Sequence, residues 1–245
     1  MKKIKLFGLG LLLALLSLSC SKDGEPTASP TSLILTKRVN ERDPVYSDIG
    51  KDTYFTYDGN KIVSSIYDGK YKDVYTYTGN FITKIEEFSS EKLTNTIDFT
   101  YTNGKLTSVL EKEPLYPSKI TNYVHNSDGT VSYSSTSGKG KLTFKDGNLM
   151  EDASETNGTE TYEYDTKNNP FKNILGISAL LYNAKGGILF NASKNNYIKN
   201  TDKYNGVTSI LTTSTITYNS DGYPIEDKEY WTGGTDYTFY KYYYE

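Results

Sequence analysis

One phrase returns along most of this chain: an aromatic residue, Thr, a second aromatic, then Gly or Asn and an apolar residue. It reads Phe55-Thr56-Tyr57 before Gly59 and Ile62, Tyr75-Thr76-Tyr77 before Gly79 and Ile82, and Phe99-Thr100-Tyr101 before Gly104 and Leu106. Weaker copies are Tyr123-Val124-His125, Leu142-Thr143-Phe144, Tyr162-Glu163-Tyr164 and Ile216-Thr217-Tyr218. Up to Tyr164 the copies recur roughly every 19 to 24 residues, a spacing that signals a repeat array. After the last copy the chain closes on the strand-like run "YTFYKYYYE".

The physics of one copy is simple. Aromatics at i and i+2 share one face of a strand, and the β-branched, polar Thr between them suits the wet face. Gly and Asn then tolerate the positive φ of a tight hairpin turn. A return strand follows, such as "FITKIEEF" (81–88). Hairpins laid side by side make an antiparallel meander of roughly fourteen to seventeen strands, and so many strands curl. The expected fold is all-β: a single large antiparallel meander of repeated hairpins, bent into a strongly twisted half-barrel or open barrel with aromatics on its concave side. A closed transmembrane barrel is disfavoured, because Thr, Lys and Glu fill the alternate positions that lipid would touch.

Two places resist a plain strand pattern. Ile82 and Ile85 lie three apart, as do Leu106 and Val109, and Ile62 and Ile66 lie four apart. Either each return strand carries a bulge, or the first apolar residue sits in the turn and plugs the core end, and the plug is the favoured account. Between Tyr164 and Tyr218 the phrase is absent. There Pro170 follows Asn169, and Phe171, Ile174, Leu175, Ile177 and Leu181 recur at helical spacings, which predicts a short helical insertion near 169–183 over a mouth or edge of the sheet. The alternative is a hairpin, "ALLYNAKGGILFN", turning at Gly186-Gly187. Residues 191–206 are polar and turn-rich and read as an exposed loop.

The N-terminus carries a different signal. Lys2, Lys3 and Lys5 precede the apolar run "LFGLGLLLALLSLS" (6–19), the layout of a secretion signal over 1–19. It ends at Cys20, the only cysteine of the chain, which cannot form an internal disulfide. "LSLSC" resembles the lipobox of bacterial lipoproteins, in which the cysteine is freed and acylated. That resemblance implies lipidation at Cys20 and membrane attachment through its acyl chains; an ordinary cleaved signal is the plainer alternative. Residues 21–32 are small, polar and Pro-containing and read as a flexible tether, leaving 33–245 as the repeat domain. Residue 21 is Ser, not the Asp of an inner-membrane retention signal. Lys22, Asp23 and Glu25 resemble the charged patch of lipoproteins exported to the surface of Bacteroidota-type bacteria. The expected location is therefore the outer membrane, with the cell surface favoured over a periplasm-facing position.

The pattern Y-x-Y-D-x-x-G-x-L resembles the tyrosine–aspartate repeats of Rhs-type shells. It is still more similar to a group of Bacteroidota-type lipoproteins of unknown function with degenerate YD-like hairpin repeats, described as open or porin-like β-meanders. "YDTKNNPFKNILG" (164–176) is similar to a segment typical of that group, and the resemblance covers about 33–245. It departs from true Rhs shells: no Arg follows the turn glycine, and Asp after the second aromatic survives only at Asp58 and Asp165. The group brings no activity, and only the acylated Cys20 carries over as a functional residue.

Catalytic candidates are few. The one histidine, His125, occupies an aromatic slot of the repeat and reads as a ring packed in the sheet, so a His-rich metal site or a Cys–His dyad is not expected. Asp227/Glu229 and Glu111/Glu113 lie two apart on predicted strands; paired acids can serve glycoside hydrolysis, but same-face acids on solvated strands are the plainer reading. "NSDG" (126–129, 219–222) reads as a turn rather than a calcium loop. Trp231, the only tryptophan, with Tyr242 and Tyr244 on one face of the last strand, could form a shelf that stacks on sugar rings, although a Trp buried between strands is favoured. Without Lys2, Lys3 and Lys5 the chain holds 24 Lys+Arg against 30 Asp+Glu. That acidity argues against a nucleic-acid partner. The expectation is a non-enzymatic, lipid-anchored binding or scaffold module with no cofactor and no metal, its partner a protein or a glycan. The alternative is a carrier or chaperone holding an apolar ligand against the concave aromatic face.

Overall fold

The computed structural model describes residues 33–42, 51–180, 192–231 and 234–245. The signal, Cys20, the tether and the Gly186-Gly187 alternative lie outside the described residues. The described strands run in chain order β1 (Leu35–Arg42), β2 (Lys51–Asp58), β3 (Lys61–Tyr67), β4 (Tyr71–Thr78), β5 (Phe81–Ser89), β6 (Lys92–Thr102), β7 (Lys105–Lys112) and β8 (Lys119–His125). They continue with β9 (Val131–Ser135), β10 (Gly138–Lys145), β11 (Asn148–Ser154), β12 (Gly158–Tyr164), β13 (Tyr197–Tyr204), β14 (Val207–Tyr218), β15 (Pro224–Trp231) and β16 (Tyr237–Tyr244). Each pairs antiparallel with its sequence neighbour, so the expected meander barrel is what forms. The structure closes it: β1 also pairs with β16, with Leu35 opposite Tyr244 and Arg38 opposite Tyr242, leaving no free edge among the described strands.

The repeated phrase sets this geometry. Its first aromatics, Phe55, Tyr75, Phe99, Tyr123 and Tyr162, point into the barrel and are buried. The Thr between two aromatics points outward: Thr56, Thr76 and Thr100 are exposed. The turns that follow the phrase gather at one end of the barrel. Asn103-Gly104 and Asp146-Gly147 both hold positive φ, as a two-residue type I′ hairpin requires. The uneven apolar spacing is due to bulges, not to a residue lodged in the turn. The register slips between Thr56 and Tyr57, Thr76 and Tyr77, Thr100 and Tyr101, Thr143 and Phe144, and Thr217 and Tyr218. Each slip lets the return strand run one residue long, so Ile82 and Ile85 both face inward although three apart.

The second aromatic has a separate task. A bulge interrupts the hydrogen-bond ladder, and the second aromatic of the next hairpin bonds the backbone beside it. Tyr101 Oη donates to Ile82 O (2.9 Å), and His125 Nε2 meets Leu106 O (2.9 Å). Tyr77 Oη accepts from Ile62 N (3.2 Å) and donates to Leu175 O (3.0 Å). His125 is thus a ring of the sheet whose polar tip replaces a tyrosine hydroxyl.

The helical insertion expected near 169–183 is, within the described residues, a series of turns with one 3-10 turn, Ile177–Ala179. Its buried side chains Phe171, Ile174, Ile177 and Leu180 recur every third residue, the 3-10 period rather than the α period. The bonds agree: Ile174 N donates to Phe171 O, Ile177 N to Ile174 O, and Leu180 N to Ile177 O. This segment stoppers the end where the phrase's turns collect. Phe171 packs edge-on against Phe55 (5.9 Å), and Leu175 N donates to Asn60 O (2.8 Å). Gly176, at φ +83°, lies so near the next turn that a Cβ there would meet Asn80 O at 2.9 Å. Residues 197–204 of the predicted polar loop form β13 instead, because Tyr197 supplies an inward anchor and Asn200 pairs with Tyr162 across the ladder.

Candidate functional site: a cavity inside the barrel

The interior has two levels. Near the stoppered end Ile62, Ile82, Leu106, Val131, Leu142 and Leu149 pack with the first aromatics into one apolar core. Toward the opposite end the inward positions turn polar. On the β4–β11 side each of these acids has a partner: Asp73 accepts from Ser65 (3.1 Å), Glu87 from Asn95 (3.1 Å) and Asp152 from Tyr133 (2.8 Å). Glu111 faces Lys119 at 3.7 Å. Burial raises the carboxyl pKa values of Asp73, Glu87 and Asp152 above the ordinary range, and the hydrogen bonds only partly offset it.

The β12–β16 side is not filled. A cavity of about 700 Å³ lies there, between Pro170 and Ser178 of the stopper and Trp231. Pockets of this size hold small molecules. Its wall combines aromatic residues (Tyr162, Tyr197, Tyr240 and Tyr242) with four charged ones, Arg38, Glu160, Asp227 and Glu229. Tyr162 Oη donates to Glu160 (2.7 Å), Asn200 Nδ2 reaches the same carboxylate (3.4 Å), and Tyr197 Oη donates to Glu229 (2.7 Å). The Arg38 guanidinium stands over the Tyr240 ring at 5.0 Å. Asp227 is pushed up to about 7, first by burial and then by the charge of Glu229; Ser214 and Arg38 pull the other way. Burial also raises Glu229, against the Tyr197 hydrogen bond and Arg38.

The local reason for this site is legible strand by strand. Asp227 and Glu229 alternate with Lys228 on β15, so both acids enter the barrel while Lys228 lies on the outer wall against Tyr237 and Phe239. Asn200, Thr212 and Trp231 form one cross-strand row. Thr212 is 4% exposed and its hydroxyl has no hydrogen-bond partner. Asn200 Oδ1 and Asp227 Oδ1 are buried and likewise unpartnered.

Of the predicted shelf residues, Trp231 and Tyr242 line the cavity, whereas Tyr244 packs against Tyr223 with the rings tilted (5.5 Å) and is not part of its lining. Trp231 is 48% exposed rather than buried between strands, because it ends β15 at the open level, where its Nε1 donates to Thr238 Oγ1 (3.3 Å). Asp227 and Glu229 come together in the cavity, while Glu111 pairs with Lys119 and Glu113 is exposed. "NSDG" is a turn at both places: Thr130 N caps on Asp128 (3.0 Å), and Tyr223 N donates to Asn219 Oδ1 (2.9 Å). Sequence reading missed Arg38, Glu160 and Tyr240. The period-two alternation in "TETYEY" (159–164) would have placed Glu160 inward beside Tyr162, but nothing local shows that β1 comes to lie against β16.

The outer wall is wet. Lys37–Asp52 (2.6 Å), Lys112–Asp98 (2.7 Å) and Lys199–Glu163 (2.7 Å) pair across neighbouring strands on it. Among the described residues no helix is long and apolar enough to cross a membrane.

No protein-family profile matches the chain, and no curated protein matches it. Solved structures do. The chain is similar in fold to a porin-like protein from Bacteroides vulgatus, at 16% identity and a TM-score of 0.55, over 86% of this chain and 98% of that one. A porin-like protein from Bacteroides uniformis matches at 14% identity and a TM-score of 0.40, over 80% of this chain and 78% of that one. The first of these likenesses establishes a shared barrel fold.

Proposed function

We propose that the chain is a lipid-anchored outer-membrane lipoprotein whose barrel is a non-enzymatic binding module that takes a small ligand into its interior. The observation that carries this reading is the cavity of about 700 Å³ inside the barrel, beside an apolar core of packed side chains. The signal and Cys20 support the anchor, and the porin-like fold of a Bacteroides protein supports the outer membrane. Lipid attachment, not spanning, suits the outer wall, where Lys84, Asp98, Lys112, Lys199, Lys228 and Lys241 stand at positions a spanning barrel gives to apolar residues. The non-enzymatic reading is supported by His125, the one histidine of the sequence, whose ring Nε2 is engaged by Leu106 O. The four charged groups in the cavity wall weigh against a purely apolar ligand.

Two measurements test the proposal. Metabolic labelling with a radioactive fatty acid in a Gram-negative host is expected to mark the wild-type chain and not Cys20→Ala, which should leave the membrane fraction. Native mass spectrometry of the detergent-purified chain, challenged with a small-molecule library, is expected to show one-to-one adducts that bulky substitution at the wall (Thr212→Trp) removes. Absence of labelling removes the anchor; absence of any adduct removes the interior site.

A further inference from the structure

The proposed interior site has a chemistry that narrows its ligand. Three acids, Glu160, Asp227 and Glu229, face one base, Arg38, around the same space. The three carboxyl groups are gathered around one buried space, where the charge of each disfavours that of the next. A cation entering the cavity relieves that repulsion; a neutral or anionic molecule does not.

The aromatic wall points the same way. The guanidinium of Arg38 already stands over the Tyr240 ring, so this wall holds one cation by its π face. Tyr162, Tyr242 and Trp231 extend the aromatic surface around the cavity. Two tyrosine–acid pairs of the wall already bond to each other, Tyr162 with Glu160 and Tyr197 with Glu229.

Acceptors predominate among the unsatisfied groups of this wall, the Thr212 hydroxyl being able to donate as well. The Thr212 hydroxyl oxygen, Asn200 Oδ1 and Asp227 Oδ1 lack partners, and they lie on three consecutive strands, β13, β14 and β15. Thr212 is 96% withdrawn from solvent, since 4% of it is exposed. Buried acceptors without donors are uncommon and are costly to leave so. A ligand rich in N–H groups answers them. A polyol can also pair with the Thr212 hydroxyl, but it brings no positive charge to Asp227 and Glu229.

We infer that the cavity takes a small organic cation, an ammonium- or amidinium-bearing molecule whose charge lies against Asp227 and Glu229 and whose carbon frame lies against Tyr242 and Trp231. The inference rests on the reading of the cavity as a ligand site.

Trp231 is the only tryptophan of the chain and lines the cavity, so its fluorescence reports occupancy. The detergent-purified full chain is titrated at pH 8 with tyramine, cadaverine, tetramethylammonium and benzamidine. In parallel it is titrated with 4-ethylphenol, the neutral counterpart of tyramine, and with cellobiose. At least one cation is expected to saturate the Trp231 signal, with its uncharged counterpart at least 10-fold weaker. Asp227→Asn/Glu229→Gln is expected to weaken that cation at least 10-fold, while Glu86→Gln on the outer wall leaves it unchanged. Equal binding of tyramine and 4-ethylphenol, or saturation by cellobiose with silence from every cation, overturns the cation and leaves the interior site standing. Silence from every probe together with an empty native mass spectrum overturns both. The comparison of tyramine with 4-ethylphenol uses the wild-type chain, so it holds even where the double variant fails to fold.

Discussion

Tyr101 Oη donates to the carbonyl oxygen of Ile82 at 2.9 Å, joining the second aromatic of one hairpin to the bulged strand of the hairpin before it. Tyr101→Phe removes only the hydroxyl and leaves a part-buried carbonyl without this donor. The expected loss is about 1 kcal/mol of stability, read as a lower urea midpoint at unchanged slope. His125→Phe at the corresponding place, where the ring meets Leu106 O, is expected to show a loss of similar size.

The stopper is vulnerable at one atom. Gly176 holds φ +83°, and a Cβ there would meet Asn80 O at 2.9 Å and Ile82 N at 3.2 Å, both backbone atoms. Gly176→Ala therefore combines a left-handed residue with a backbone clash, for about 2–4 kcal/mol of destabilisation. Limited proteolysis is expected to cut first within 168–180, before the strands are attacked.

The turn between β5 and β6 is built against preference. Ser90 and Glu91 hold φ +49° and +67° with neither Gly nor Asn present. Ser90→Asn with Glu91→Gly places the residues of a type I′ hairpin there, and thermal unfolding is expected to register a gain of about 1–2 kcal/mol.

Acid in the cavity makes stability pH-dependent. Asp227 faces Glu229 of its own strand, Ser214 and Tyr218 of β14, Tyr197 of β13, Tyr240 and Tyr242 of β16, and Arg38 of β1. Its carboxyl group is pushed from an ordinary value of 3.8 to about 7, so the folded chain holds a proton that the unfolded chain releases. The resulting stabilisation is complete below about pH 4, declines as pH rises to about 7 and is flat above it, with a ceiling of about 4 kcal/mol. Asp227→Asn is expected to flatten this window and to unfold at a higher temperature than wild type at pH 8. A fall in melting temperature of that variant at pH 8 contradicts the burial of an uncompensated charge.

Much of the wall of this barrel was legible because its instructions are local. Phe55-Thr56-Tyr57 states which face is wet, and Asn103-Gly104 states where the chain reverses. The bulges were half legible: Ile82 and Ile85 announce a broken alternation, but only the ladder shows where the extra residue sits. The 168–180 segment misled because Phe171, Ile174 and Ile177 fit two periods over so short a run, and its contacts with Asn60 and Asn80 are more than 90 residues distant in the chain. The cavity was least legible. Asp227 and Glu229 could be read as sharing a face, whereas Arg38 reaches them only through the meeting of the two chain ends.

That meeting has a consequence for biogenesis. Ile34 and Glu245 exchange backbone hydrogen bonds of 2.8 and 3.0 Å, so the circle is sealed by residues from opposite ends of the strand series, the later made long after the earlier. Fourteen hairpin-neighbour pairings can form as the polypeptide emerges, yet β1 must wait with one bare flank until β16 arrives. A product stopped before Tyr237 presents two raw strand borders at once, an invitation to pair with other copies. The same circularity frees the covalent order from the architecture: joining residue 245 to residue 34 and opening the chain at Asn205-Gly206 yields a permuted protein with every ladder of the wall retained.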